Sequence, residues 1–163
     1  MHILVATDAD YVLDDLTAAL AGPETSFTVC RNGRDVTRVV ATRTPDLAIL
    51  DLQIGSMGGM AVTMSMRLDE SSGRLPHVPV VMLLDRIADV HLAKRSGADG
   101  WLVKPLDPLR LRRAVRAVLR GDGYREGLVD GQRGVQPMTA AHAEIPDGGV
   151  PLEEADVVPA PSR

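Results

Sequence analysis

The chain has 163 residues, 45% of them hydrophobic and 25% charged, with a net charge of −4. That is ordinary for a globular protein with one substantial core, and it excludes a strongly basic nucleic-acid footprint. The lone cysteine, Cys30, excludes an internal disulfide and a cysteine metal cluster.

No apolar stretch is long enough to span a bilayer. The opening Met1-His2-Ile3-Leu4-Val5-Ala6-Thr7-Asp8 has no basic n-region and meets acid after a short apolar run, so it does not read as a signal peptide. The expected location is the cytoplasm.

Ile3 to Ala6 reads as a buried strand. Val12, Leu13, Leu16, Ala19 and Leu20 then recur at helical spacing, with Asp10 as the expected N-cap and Gly22-Pro23 as the stop. Phe27 to Cys30 reads as a second strand. A second helix is expected from about Asp35, with Val36, Val39 and Val40 on one face, ended by Pro45.

Leu47-Ala48-Ile49-Leu50 runs straight into Asp51, and a glycine-rich segment follows. An unalternating apolar run this short predicts a strand buried on both faces. Asp51 then stands at its carboxyl end, where open parallel sheets hold their ligands. Met60, Met64 and Leu68 at i, i+4, i+8 predict the apolar face of a third helix. Pro79 to Leu84 predicts the fourth strand, Ile87 to Ser96 a fourth helix with Gly97 at C′, and Trp101 to Val103 a fifth strand closed by Lys104-Pro105. Asp107-Pro108 caps and starts a last helix whose apolar face carries Leu111, Ala114, Val115, Val118 and Leu119.

Five strand–helix units in strict alternation predict an α/β domain over 1–120, a doubly wound parallel sheet with helices on both faces. The remainder, 121–163, holds 8 acidic against 3 basic residues and is rich in glycine and proline. It is expected to be a disordered tail, too poor in apolar periodicity to offset ordering entropy of ~1–2 kcal/mol per residue.

Asp8, Asp51 and Lys104 each follow a strand. Two carboxylates and a lysine suit a hard divalent cation and a phosphoryl group. With Gly97-Ala98-Asp99-Gly100-Trp101-Leu102-Val103-Lys104-Pro105 and the strand ending at Asp51, residues 1–120 resemble the receiver domain of two-component response regulators. The resemblance implies a flavodoxin-like sheet of order 2-1-3-4-5, which brings Asp8 and Asp51 together at the reversal point. It also implies Asp51 as phosphoacceptor, Mg²⁺ on Asp8, Asp51 and the Gln53 backbone carbonyl, and Lys104 pairing with the phosphoryl oxygens.

Three positions depart from that family. Thr7 stands where a second acid is usual, which implies weaker Mg²⁺ binding. Leu84 stands where a serine or threonine hydroxyl normally bonds the phosphoryl group. Trp101 replaces the aromatic that changes rotamer on activation. Losing one charge-assisted hydrogen bond of ~1.5–3 kcal/mol removes much of the energy that would drive a switch.

Plainer readings stand beside these. Asp51 and Asp8 are each able to act simply as caps, and Lys104 as a solvated lysine. Arg110, Arg112, Arg113, Arg116 and Arg120 read first as a solvated basic face and second as a docking face for an acidic partner. Met57, Met60, Met64 and Met66 read as packing residues, Cys30 as a small core residue, and His77 and His91 as surface residues.

The expected function is that of a single-domain response regulator, not a separate effector enzyme. It takes a phosphoryl group on Asp51 from a sensor histidine kinase or phosphotransfer protein. It signals to an unknown downstream protein by contact, with no DNA-binding domain, no membrane partner, and homodimerisation through the last helix–strand–helix face as an option. The alternatives are a phosphorylation-independent pseudo-receiver and a phosphatase of the haloacid-dehalogenase type. The second wants another aspartate where Gln53 sits. A nucleotide-binding protein is disfavoured because no glycine-rich phosphate loop follows the first strand.

Overall fold

A computed structural model describes residues 1–127. Six parallel strands form one sheet in the order β2-β1-β3-β4-β5-β6: β1 (His2–Ala6), β2 (Ser26–Cys30), β3 (Leu47–Asp51), β4 (Val80–Leu84), β5 (Gly100–Val103) and β6 (Tyr124–Arg125). The helices are α1 (Asp10–Leu20), α2 (Val36–Thr42), α3 (Gly59–Ser71), α4 (Val90–Ser96) and α5 (Pro108–Leu119). Single 3₁₀ turns, Gly33–Asp35 and Ile87–Asp89, lead into α2 and α4. The expected five-stranded order is therefore present, with one more strand at its β5 edge.

The two-residue period of the strands divides the core. Ile3, Val5, Leu47, Ile49, Val81, Leu83 and Leu102 pack under α1 and α5. Leu4, Ala6, Ala48, Leu50 and Val80 pack under α2 and α3. Leu52, Met82, Leu84 and Trp101 form a third cluster with Val90 and Ala93 of α4. Both faces are covered, which is why β3 and β4 are apolar at nearly every position and buried throughout.

Local signals held at some ends and failed at others. Asp107 caps α5 by accepting from the Arg110 amide at 2.8 Å, and Gly97 closes α4 with φ of 80°. Asp10 is not a cap: Ala9 holds that position, and the Asp10 carboxylate instead meets Arg31 at 2.7 Å.

The expected apolar face of α3 is a correction. Met64 is 50% and Leu68 63% exposed, and the helix buries Val62, Thr63 and Met66 instead. The i, i+4 row through Met64 and Leu68 points outward; the row carrying Val62, Thr63 and Met66 faces the sheet. Leu119 is likewise 40% exposed, at the last residue of α5.

Residues 121–127, placed in the tail by composition, form the turn into β6 and pair with β5 through Gly100↔Tyr124 and Trp101↔Arg125. The disorder expected of 128–163 lies outside the described residues. No helix among the described residues is long and apolar enough to cross a membrane.

Candidate phosphoryl-accepting site

Strand alternation builds the site. Thr7 continues the alternation of Val5, Asp51 that of Ile49, Asp85 that of Leu83 and Lys104 that of Leu102. All four therefore project toward the same side of the sheet at its carboxyl end.

Asp51 is the centre. It is 2% exposed, and its carboxylate oxygens accept hydrogen bonds from three residues. Lys104 Nζ donates to Asp51 Oδ1 and Oδ2, each at 2.9 Å. The Thr7 hydroxyl donates to Oδ2 at 3.0 Å, and the Gln53 amide donates to Oδ1 at 3.2 Å. Thr7 Oγ1 in turn accepts from the Ala9 amide at 3.2 Å. A buried carboxylate would otherwise carry a large desolvation cost, and these donors offset it.

Lys104 has a second partner that sequence reasoning missed. Its ammonium donates to Asp85 Oδ1 at 3.1 Å as well. Burial pushes the Lys104 pKa down, but the hydrogen bonds and charges of Asp51 and then Asp85 outweigh it, so it ends above the ordinary lysine value. The signal was available: Asp85 follows β4 in phase with Leu83, on the side of the sheet that Asp51 and Lys104 share.

Asp8 is exposed, and its Oδ2 accepts from the Gly55 amide at 3.1 Å, which ties the loop after β1 to the loop after β3. Leu84 is fully buried in the cluster under α4 and faces away from Asp51. Trp101 is 1% exposed in that same cluster, and its indole Nε1 donates to the Glu126 carbonyl at 2.8 Å.

The donor chemistry suits Mg²⁺: hard oxygens from Asp8, Asp51 and the Gln53 carbonyl leave positions for water, as that ion prefers. Thr7 adds an oxygen without charge. No group of three or more His, Cys, Asp or Glu side chains able to hold a metal occurs among the described residues. The set fits the ion with fewer charges than a three-acid site would offer.

The sequence model of the response regulator receiver domain matches residues 3–116. The chain belongs to that family. It is 31% identical over 151 residues to the transcriptional regulatory protein CseB of Streptomyces avermitilis, covering 91% of this chain and 59% of that protein. It is 36% identical over 121 residues to the DNA-binding response regulator MtrA of Mycobacterium tuberculosis, covering 73% of this chain and 50% of that one. The chain thus spans between half and three-fifths of the length of these curated relatives.

Among solved structures, a putative response regulator from Chloroflexus aurantiacus superposes with a TM-score of 0.66 at 23% identity, over 73% of this chain and 97% of that one. The receiver domain of a histidine kinase from Syntrophus aciditrophicus gives 0.63 at 28% identity, over 74% and 90%. The matched region is thus the receiver domain of a response regulator, and receiver domains interact with histidine kinases.

Proposed function

We propose that this receiver accepts a phosphoryl group on Asp51 from a histidine kinase or phosphotransfer protein and signals by protein contact. The observation that carries the reading is the Lys104 ammonium 2.9 Å from both oxygens of a buried Asp51. A carboxylate oxygen of Asp51 attacks phosphorus, the bond from phosphorus to the donor's nitrogen or oxygen breaks, and the leaving group takes a proton from water. The product is an acyl phosphate. Lys104 is already in place to move from carboxylate to phosphoryl oxygen and offset the charge there.

Mg²⁺ on Asp8, Asp51 and the Gln53 carbonyl would supply charge neutralisation at the transferred group. Thr7 supports the pocket through its hydrogen bond to Asp51 rather than through a charge.

The switch half of the site is altered in this reading. Leu84 has no donor for a phosphoryl oxygen and is packed with Trp101 under α4. Phosphorylation therefore changes little in that cluster, and coupling to a rearrangement of the β4–α4 loop is weak.

A second reading, a phosphorylation-independent interaction module, is favoured by one feature: Lys104 is shared between Asp51 and Asp85, a closed ion triad that needs no ligand.

Incubation with Mg²⁺ and acetyl phosphate separates them. The first reading expects a gain of ~80 Da by intact mass, the weight of one phosphoryl group, absent in Asp51→Asn. The second expects no gain in the wild type. Trp101 emission on adding beryllofluoride then reports coupling, with a small change expected.

A further inference from the structure

Glu126 lies five residues past the start of a segment that composition assigned to the tail, yet it is among the most heavily bonded side chains in the described region. Its Oε2 accepts from the Val103 amide at 2.9 Å. Its Oε1 accepts from Arg110 Nε at 2.6 Å, and its Oε2 also receives the Arg110 terminal nitrogen in a short second contact. Arg110 returns to the same stretch of backbone, donating to the Val103 carbonyl at 3.0 Å and the Pro105 carbonyl at 3.3 Å. The Glu126 carbonyl holds the Trp101 indole at 2.8 Å.

The segment is seated as well as bonded. Tyr124 and Arg125 pair with β5, and a methyl group on Gly127 would come 1.8 Å from Ile87 Cδ1, so the chain lies directly against the turn before α4. These contacts converge on the backbone on either side of Lys104: the amide and carbonyl of Val103 before it, and the carbonyl of Pro105 after it.

We infer that Glu126, acting with Arg110, is a positioning residue for Lys104, clamping the 103–105 backbone so that the ammonium reaches Asp51. The inference deepens the phosphoacceptor reading and rests on it for its consequence in phosphoryl transfer. A bidentate carboxylate–guanidinium pair with two further backbone contacts fixes direction as well as distance. A lysine has four rotatable bonds in its stem, so its reach depends on where the backbone launches it. The inference also accounts for Arg110, which the basic-face readings of α5 left as a solvated or docking cation.

The test uses the full chain and exploits the presence of only two lysines, Lys94 and Lys104. Lys94 is exposed on α4 and serves as the internal reference. Limiting acetylation with an amine-reactive ester, read by peptide mass, gives the ratio of Lys104 to Lys94 labelling. Glu126→Ala is expected to raise that ratio severalfold and to slow phosphorylation by acetyl phosphate roughly tenfold, as a displaced catalytic group does.

Glu126→Gln keeps an acceptor for the Val103 amide and is expected to lie between wild type and Glu126→Ala. In a Lys104→Ala background, Glu126→Ala should slow phosphorylation no further. An unchanged labelling ratio in both variants, or a full additional loss without Lys104, overturns the inference. If Glu126→Ala does not fold, the Glu126→Gln ratio decides alone. Labelling needs no phosphoryl chemistry, so a wild type that resists phosphorylation would remove the phosphoacceptor reading and leave this test standing.

Discussion

Lys104 and Asp51 are 53 residues apart in sequence, yet the lysine ammonium sits symmetrically 2.9 Å from both carboxylate oxygens. The lysine side chain is 10% and the aspartate 3% exposed. An ion pair this dry is sensitive to loss of one partner, because the other is left as a buried charge. Lys104→Met is expected to lower stability toward the lower end of about 3–5 kcal/mol, since Thr7 and the Gln53 amide still serve Asp51. Adding Asp51→Asn should restore part of that loss. Urea unfolding of the two single variants and the double variant measures the coupling.

Asp85 competes for the same ammonium and adds negative charge where an anionic phosphoryl donor must approach. It is 38% exposed, so solvent screens it. Asp85→Asn should therefore speed phosphorylation by acetyl phosphate only about two- to fivefold, the scale of ~0.5–1 kcal/mol for a screened charge. A decrease would show that Asp85 holds Lys104 in a productive place.

Thr7 contributes a hydroxyl where a further carboxylate would raise the charge of the cation site. Thr7→Asp is expected to tighten Mg²⁺ roughly tenfold by isothermal titration, and to destabilise the metal-free protein by setting like charges side by side against Asp51. Unchanged affinity would mean that the threonine is neutral for metal binding.

Gly59 opens α3 directly behind Asp51. A methyl group there would stand 2.5 Å from the Asp51 carbonyl oxygen. Backbone cannot rotate away as a side chain can, so Gly59→Ala should cost about 1–3 kcal/mol by overpacking. The same push should disturb the Lys104–Asp51 contact, which chemical-shift changes at the Thr7 and Gln53 amides would register.

The architecture was legible because its strands carry unusually pure signals. Leu47–Leu50 and Val80–Leu84 are apolar runs that only a doubly covered parallel sheet accommodates, and Asp51 is conspicuous at the end of one of them. Asp107-Pro108 and Gly97 punctuate helices by backbone chemistry that tertiary contacts do not override. The α3 face is ambiguous in sequence because the methionines lie on both sides of the helix: Met64 and Leu68 share an exposed row, whereas Val62, Thr63 and Met66 share the buried one. Asp85 was passed over by looking for a missing hydroxyl at Leu84 and not for phase with Leu83. Tyr124–Gly127 was hidden by its surroundings: glycines and acids suggest a tail, whereas Glu126 is held by Arg110, sixteen residues earlier and a turn into α5.

The Glu126 carboxyl also predicts an acid response. Burial raises its pKa, but the Arg110 hydrogen bonds and the Val103 amide outweigh that and hold it below the ordinary 4.5. A depressed carboxylate contributes stability that is fully present above the unfolded-state value and is lost as pH falls through the folded one. Unfolding midpoints should therefore drop as pH falls below about 4.5, and Glu126→Gln should flatten that part of the profile. Trp101 emission, reporting on the indole bonded to the Glu126 carbonyl, follows the same transition.

The most direct test of the account identifies the atom that takes the phosphoryl group. Borohydride reduces an acyl phosphate, but not a free carboxylate, to an alcohol, which marks the acceptor residue permanently. After treatment with Mg²⁺ and acetyl phosphate, reduction and peptide mass mapping should find homoserine at position 51 and nowhere else, with a much lower yield in Lys104→Ala. Reduction at another acid, or none in a protein shown to be folded, would contradict the assignment of Asp51 as acceptor.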